Sequence, residues 1–407
     1  MSLRQRLTQA RVLAGIAHGS RAFGGPYQAS LALSNRCNLR CVHCYFYAPS
    51  VRMPNFFDVR QARARGWPMP AQEDVDGRQK LDADAGHTRA IIGDLLRMGT
   101  WRFHFSGSGE PFMHPDALEF MARVKHAGRE CVVNTNGTLL NAAAIGELVA
   151  MGLDELRITT MAGTGPVYER THPGSRPGTF EALKEGLRAL ADRKRAAGVR
   201  RPRVSLGCVV VRQNADGLMD CAEFAAKVGA DGLIVQPVDD LGDPSLADVV
   251  PGEAQSADVL RQVPQMKRFL EEHGIRHNMD RFTKVFNRQL DTRALYRVIP
   301  CYMGWMSARV QVGGDVYPCH HCYDSLGNAY KTPMPVIWHS PAYRRFRRAA
   351  ALINRRCSAV EGCSCNSCCH NTTNLLVYER LHPMSARSRA LQELLPADAA
   401  GLEGAAE

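Results

Sequence analysis

The sequence predicts an α/β fold built on a parallel sheet, followed by a small cysteine-rich domain that opens on a β-hairpin. Three observations carry this. Six apolar stretches of strand length alternate with helical stretches between residues 29 and 237. Glycine- and asparagine-rich turns stand at strand ends, as at 105–111 and 134–137. Eight of the fourteen cysteines fall between residues 301 and 369, around a Gly-Gly pair flanked by alternating apolar residues.

Residues 1–27 form an N-terminal extension, with a short amphipathic helix at 3–17. The strands are expected at 29–33, 101–105, 131–134, 155–159, 204–211 and 232–237. Between them, 88–98, 115–127, 141–151, 179–197 and 216–228 place apolar residues at roughly helical spacing. Strand and helix in alternation argue for parallel pairing through helical crossovers, in a domain spanning 28–240. Residues 48–85 are a long insertion rich in Pro, Met and aromatics, of the kind that often serves as a lid. Residues 241–300 read as a bridging segment with one helix at 258–273. The cysteine-rich domain spans 301–380, and a tail spans 381–407 with a small, acidic end that frays.

Composition narrows the class. A chain of 407 residues with 45% hydrophobic and 22% charged content is an ordinary globular protein, long enough for two domains. No apolar run approaches the ~20 residues that span a bilayer. The first 30 residues hold four arginines but no continuous apolar core, so no signal peptide is read and the expected compartment is the cytoplasm. Fourteen closely grouped cysteines in such a chain point to metal ligation rather than disulfides. The net charge of +11 is spread along the chain. Arg344, Arg345, Arg347, Arg348, Arg355 and Arg356 read as a solvated helix face, so neither a nucleic-acid nor a membrane partner is expected.

The most specific motif is the C-x3-C-x2-C triplet of Cys37, Cys41 and Cys44, placed just after the first strand. Three thiolates from one loop suit a four-iron cluster, because one iron is left to bind substrate or cofactor. A zinc site remains the alternative, although nothing near the loop supplies a fourth ligand. The triplet resembles the signature of radical S-adenosylmethionine (SAM) enzymes, whose aromatic position before the third cysteine is His43 here, with Tyr45 just after. The resemblance implies a 4Fe–4S cluster whose open iron chelates SAM. It implies reductive cleavage of SAM to a 5′-deoxyadenosyl radical, and hydrogen abstraction from an unactivated carbon. The six units then resemble the family's incomplete (β/α)6 barrel over about residues 28–240.

Further SAM contacts follow from the resemblance. The run Ser106-Gly107-Ser108-Gly109-Glu110-Pro111 resembles the GGE motif, with Gly107 and Gly109 letting backbone approach the ligand and Glu110 accepting from the SAM amino group. Asn136, in a TNG-like turn, is assigned to the ribose or carboxylate, although an Asn-Gly turn explains it without function. Gln236, ending the sixth strand, is assigned to the adenine. Arg157 and Thr159 are candidates to point into the barrel.

Cys301 and Cys319 frame a C-x12-G-x4-C run that reads as a hairpin around Gly313-Gly314 and resembles the opening of SPASM and twitch domains, which carry auxiliary 4Fe–4S clusters. Cys322, Cys363, Cys365, Cys368 and Cys369 complete the expected ligands. The later spacing, C-x5-C-x1-C-x2-C-C, departs from the SPASM pattern, so one or two auxiliary clusters are both compatible, and paired cysteines also suit zinc. Cys357 stands apart as the spare.

Only about 28 residues precede the first strand, where peptide-modifying relatives often carry a recognition domain, so a small substrate is expected. Residues 161–173 resemble a loop of SPASM proteins acting on sugars. The leading expectation is an epimerase of a carbohydrate moiety in a secondary metabolite such as an antibiotic, with Cys357 returning the hydrogen. A maturase forming thioether or carbon–carbon links in a ribosomally made peptide is the alternative, and a sugar-alcohol dehydrogenase the third. Each needs a reductant such as flavodoxin or ferredoxin.

Overall fold

The computed structural model describes residues 2–44, 46–48, 81–238, 244–287, 298–356, 360–363, 365 and 370–383. Helix α1 (Leu3–His18) is capped at Ser2 and closed by Gly19 in the left-handed conformation. It precedes β1 (Gln28–Leu31), and the chain then alternates through α2 (Ala85–Met98), β2 (Arg102–Phe105), α3 (Ala117–His126), β3 (Glu130–Thr135), α4 (Ala142–Ala150) and β4 (Glu155–Thr159). Helices α5 (Gly165–Thr171) and α6 (Thr179–Ala196) lead to β5 (Arg203–Val210), then α7 (Leu218–Lys227) and β6 (Gly232–Pro237). Next come α8 (Glu253–Glu272), β7 (Arg276–His277) and α9 (Met279–Phe286). The C-terminal part holds α10 (Met303–Met306), β8 (Ser307–Val310), β9 (Val316–Tyr317), α11 (Met334–Trp338), α12 (Pro341–Ala351), α13 (Ile353–Arg356) and α14 (Asn371–Leu381).

Among the described residues these strands form one open sheet of nine, in the order β7-β6-β5-β4-β3-β2-β1-β8-β9. Every pairing is parallel except β8 with β9. This is the partial barrel expected from the alternation, and the β8–β9 hairpin turns through Gly313-Gly314 as expected. Two features were not read from the sequence. A short seventh parallel strand, β7, follows α8, and α9 packs against β6 and α8. The hairpin also joins the sheet, because β8 pairs in parallel with β1.

The two faces of the sheet have opposite chemistry. Ala29, Leu31, Phe103, Phe105, Cys131, Val133, Leu156, Ile158, Val204, Leu206, Leu233 and Val235 point to the helices and form the main core. Their neighbours in sequence point to the inner face, where one row of paired strands carries Arg309, Ser30, His104 and Val132, then Glu155 and Arg203. Parallel sheets buried on both faces are usually apolar on both. Here one face is polar.

The arginine-rich helix α12 departs from a purely solvated face. Arg344, Arg345 and Arg348 are exposed as expected, but Arg347 is fully buried. Its Nε donates to Gly304 O (2.7 Å) and its Nη2 to Trp338 O (2.9 Å), with the guanidinium 4.4 Å from the Trp338 ring centroid. Burial lowers its pKa to about 10, so it stays charged at neutral pH. Trp338 Nε1 donates to Gly24 O and Trp305 Nε1 to Arg21 O, which ties the C-terminal part to the segment entering β1. Among the described residues no helix is long and apolar enough to cross a membrane. Removing Arg347 strands two buried carbonyls, each costing about 1–3 kcal/mol. Arg347→Ala is therefore expected to lower stability by about 3 kcal/mol in urea unfolding, while Arg348→Ala changes it by less than about 0.5 kcal/mol.

Candidate active site

The cysteine triplet lies immediately beyond β1, at the carboxyl end of the sheet, and two neighbouring turns and a helix meet it. The first is the turn after β2. Glu110 N–H donates to Arg36 O (2.8 Å), and a Cβ added at Gly109 would collide with the Ser34 and Arg36 carbonyls. A Cβ at Gly107 would likewise strike the Ala32 side chain. Both positions leave no room for a side chain, Gly109 because it lies on the backbone leading into the cysteine loop and Gly107 because it lies on Ala32 just after β1, whereas the sequence reading gave the close approach to SAM. Arg36 is held in turn by an ion pair with Asp82 and by Met113 O (2.8 Å).

The second contact is the turn after β3. Asn136 Nδ2 donates to Asn38 Oδ1 (2.8 Å) and lies 3.9 Å from Cys37 Sγ, so its amide is directed at the cysteine loop. The sequence reading gave Asn136 to the ribose or carboxylate of SAM; in the structure its Oδ1 also accepts from Thr138 N–H and Oγ1. Glu110 is 3% exposed and accepts from Thr135 Oγ1 (2.6 Å), Asn136 N–H (2.8 Å) and Phe112 N–H (3.3 Å). Three donors occupy a carboxylate that accepts about four, leaving capacity for one more. Burial raises its pKa to about 6 against those three hydrogen bonds. Gln236 is exposed at the end of β6, and Arg157 lies on the inner face beside Glu155 (3.4 Å).

The third contact comes from α5, where Thr171 O accepts from Val42 N–H (3.0 Å). Sequence reasoning took this stretch for a loop. The spacing of Tyr168 and His172, one helical turn apart, was the available signal.

Burial pushes the Cys37 thiol up to about 12 and the Cys41 thiol well above its usual value, with charge on the neighbouring cysteines and Glu110 adding to the shift. Such thiols become thiolates readily only beside a cation. The donor set therefore fits an iron cluster held by Cys37, Cys41 and Cys44. In the C-terminal part, Cys301, Cys319, Cys322, Cys363 and Cys365 gather with Phe346, Ala350, Ile353 and Val360. Cys322 and Cys363, both expected as ligands, stand side by side in this group with their sulfurs in contact. Cys357, Cys368, Cys369 and Tyr45 lie outside the described residues, as does most of the 48–85 insertion.

Residues 31–225 match the radical SAM superfamily, and residues 301–369 match SPASM, an iron–sulfur cluster-binding domain. The chain joins a radical SAM domain to a SPASM domain. As a radical SAM enzyme it uses 4Fe–4S clusters and SAM. It is 24% identical to the AdoMet-dependent heme synthase of Nitratidesulfovibrio vulgaris, over 81% of this chain and 85% of that protein. It is 27% identical to the PqqA peptide cyclase of Ruegeria pomeroyi, over 67% of this chain and 72% of that protein. The crystal structure of Streptococcus suis SuiB bound to S-adenosylmethionine shares the fold, with a TM-score of 0.58 at 12% identity over 83% of this chain and 71% of SuiB. SuiB has also been solved with its precursor peptide SuiA.

The glycine contact gives a direct check. Gly109→Ala should push the cysteine loop away from the turn after β2, so the reconstituted protein loses about four irons per chain. Far-UV circular dichroism should be unchanged. Gly146→Ala, where an added Cβ meets nothing within 4 Å, should keep its iron.

Proposed function

We propose that this radical SAM enzyme is a maturase that acts on a peptide and forms a thioether or carbon–carbon link. The observation that carries this reading is the polar inner face of the sheet. Arg102 pairs with Glu130 (3.0 Å), His104 Nε2 bonds Asn134 Oδ1 (2.9 Å), and Ser205 Oγ donates to Glu155 Oε1 (2.8 Å). A tetrapyrrole brings a broad apolar plane and favours apolar walls, whereas a peptide brings amides and side chains that such groups can pair. The peptide cyclase relative and the peptide-bound SuiB support the same choice. They also favour it over the sugar epimerase expected from the sequence.

In this reading Cys37, Cys41 and Cys44 hold the SAM-binding cluster and Glu110 receives the amino group of SAM. Gly107 and Gly109 keep the two loops in contact, and Asn136 orients Cys37. Gln236, at the end of β6, is assigned to the adenine. The C-terminal cysteines hold auxiliary iron, and an external one-electron donor of the flavodoxin or ferredoxin class supplies reducing equivalents. When bound, cluster and SAM supply a carbon-centred radical that removes a hydrogen atom from the substrate.

The decisive experiment pairs the reduced, reconstituted protein with SAM and a panel of short cysteine-containing peptides. The expected outcome is 5′-deoxyadenosine together with a peptide two hydrogens lighter by mass spectrometry. Replacing Cys37, Cys41 and Cys44 together by Ala should abolish both while auxiliary iron remains. An unchanged peptide, with a sugar substrate instead taking up one solvent deuterium at an inverted carbon, would restore the epimerase reading and direct attention to Cys357.

Glu110 gives a pH test. Its folded pKa is raised to about 6, so the carboxyl is charged above that value and protonated below it. SAM affinity, measured by calorimetry, should therefore fall as pH drops through about 6. Glu110→Gln should weaken binding roughly tenfold to a hundredfold at neutral pH and flatten this dependence.

A further inference from the structure

Helix α12 has a second face, opposite the one that buries Arg347. By helical spacing Phe346 and Ala350 point one way and Arg344, Arg345 and Arg348 the other, and these three arginines are exposed. On the inward side Phe346 and Ala350, with Ile353 of α13, pack against Cys301, Cys319, Cys322, Cys363 and Cys365. Ala350 O accepts from Cys301 N–H (3.0 Å). On the arginine side, one helix roughly 10–12 Å across thus separates the gathered sulfurs from solvent.

That face differs from the barrel helices, where several basic residues are neutralised within their own helix: Arg97 by Asp94 on α2, Arg123 by Glu119 on α3, Arg195 by Asp192 on α6 and Lys227 by Glu223 on α7. Around α12 no Asp or Glu occurs between Asp324 and Glu361, and residues 301–380 hold nine Lys and Arg against four Asp and Glu. Arg344, Arg345, Arg348, Arg355 and Arg356 are exposed, and among the described residues none of them forms an ion pair. Arg344 and Arg348 stand four positions apart, a like-charge spacing that weakens a helix. A base in the last turn suits the helix dipole, which accounts for Arg348, Arg355 and Arg356 but not for Arg344 or Arg345. The charge is better explained by a partner than by the fold.

We propose that the exposed face of α12 and α13 docks an acidic one-electron carrier of the flavodoxin or ferredoxin class, which passes its electron across the helix to the auxiliary iron. An acidic surface supplies the carboxylates that α12 lacks, and complementary charge steers such encounters. The step makes and breaks no bond: the carrier is oxidised by one electron and the cluster is reduced by one. The inference rests on Cys301 and its neighbours holding iron, and is independent of the substrate.

The test uses the full-length, reconstituted protein with an acidic flavodoxin as the carrier. Binding, measured by calorimetry, should weaken roughly tenfold when Arg344→Glu, Arg345→Glu and Arg348→Glu are combined. It should survive Arg344→Lys, Arg345→Lys and Arg348→Lys together. It should also survive Arg188→Glu, Arg193→Glu and Arg200→Glu, an equal charge change at exposed positions on and just after α6. Raising the ionic strength from about 0.01 M to about 0.15 M shortens screening from about 30 Å to about 8 Å and should erase most of the difference. In the variant lacking Cys37, Cys41 and Cys44, flavodoxin hydroquinone should reduce the auxiliary iron in stopped flow, and the α12 charge reversal should slow this by a similar factor. Equal weakening by both charge-reversed triples would overturn the proposal, as would no weakening by either. Tighter binding of a nucleic acid than of the carrier through the same arginines would overturn it too. Reduction of the triplet's cluster alone in the unmutated protein would overturn the electron route. Absence of iron from the triple cysteine variant would instead count against the auxiliary-iron reading, with the binding result still deciding the docking surface.

Discussion

The structure depends on a sheet whose two faces carry opposite chemistry. Side chains alternate between faces along a strand, so a slip of one residue would send Phe103 and Phe105 inward and Arg102 and His104 into the helix layer. The inner face is expensive to maintain, because buried charges stabilise only when closely paired. Glu155 illustrates the balance. Burial alone would raise its pKa, but Arg157, Ser205 and Arg203 together hold it below its usual value. Apolar residues could fill the same volume without that desolvation penalty. A polar interior kept by paired charges is therefore better explained by what it contacts than by what it adds to stability.

The cysteine loop is where the barrel units become one site. It contributes little regular structure, and its shape is imposed by backbone from elsewhere: the turn after β2 through Glu110 N–H, the turn after β3 through Asn136, and α5 through Thr171 O. Each contact comes from a different β/α unit. The geometry of three thiolates thus reports the relative placement of four strands, and a small displacement of any of them would reach the cluster. Glycine at 109 makes the tightest of these contacts possible, since any side chain there meets backbone rather than a yielding side chain.

Much of this was legible in the sequence, and what was missed has physical reasons. The six long strands and their crossover helices follow from alternation and periodicity, and strands β4 and β6 have the residues expected. Strand β7 has two residues, too few to show a period. The pairing of β8 with β1 joins residues almost 280 positions apart, and local pattern does not encode such a partner. The polar inner face was available in runs such as Arg-Phe-His-Phe and Glu-Leu-Arg-Ile-Thr, but strands of a parallel sheet are sought by apolar content, which hides the alternation. The buried Arg347 shares the helix stripe of Tyr343, Phe346 and Ala350, a spacing that places it inside although its composition suggests the surface.

The position of β8 bears on how the two domains cooperate. Because it continues the sheet beside β1, Arg309 stands in the same row as Ser30 and His104, and is 3% exposed. His320 follows on the next loop, close enough that Arg309, His370 and His104 add to the burial that lowers its pKa. The inner face is therefore built by both domains, not by the barrel with an appendage at its rim. Cutting the chain before residue 301 would leave β1 as an unpaired edge and remove one end of this row. Arg309, Ser30 and His104 thus bring side chains of both domains into one row of the inner face.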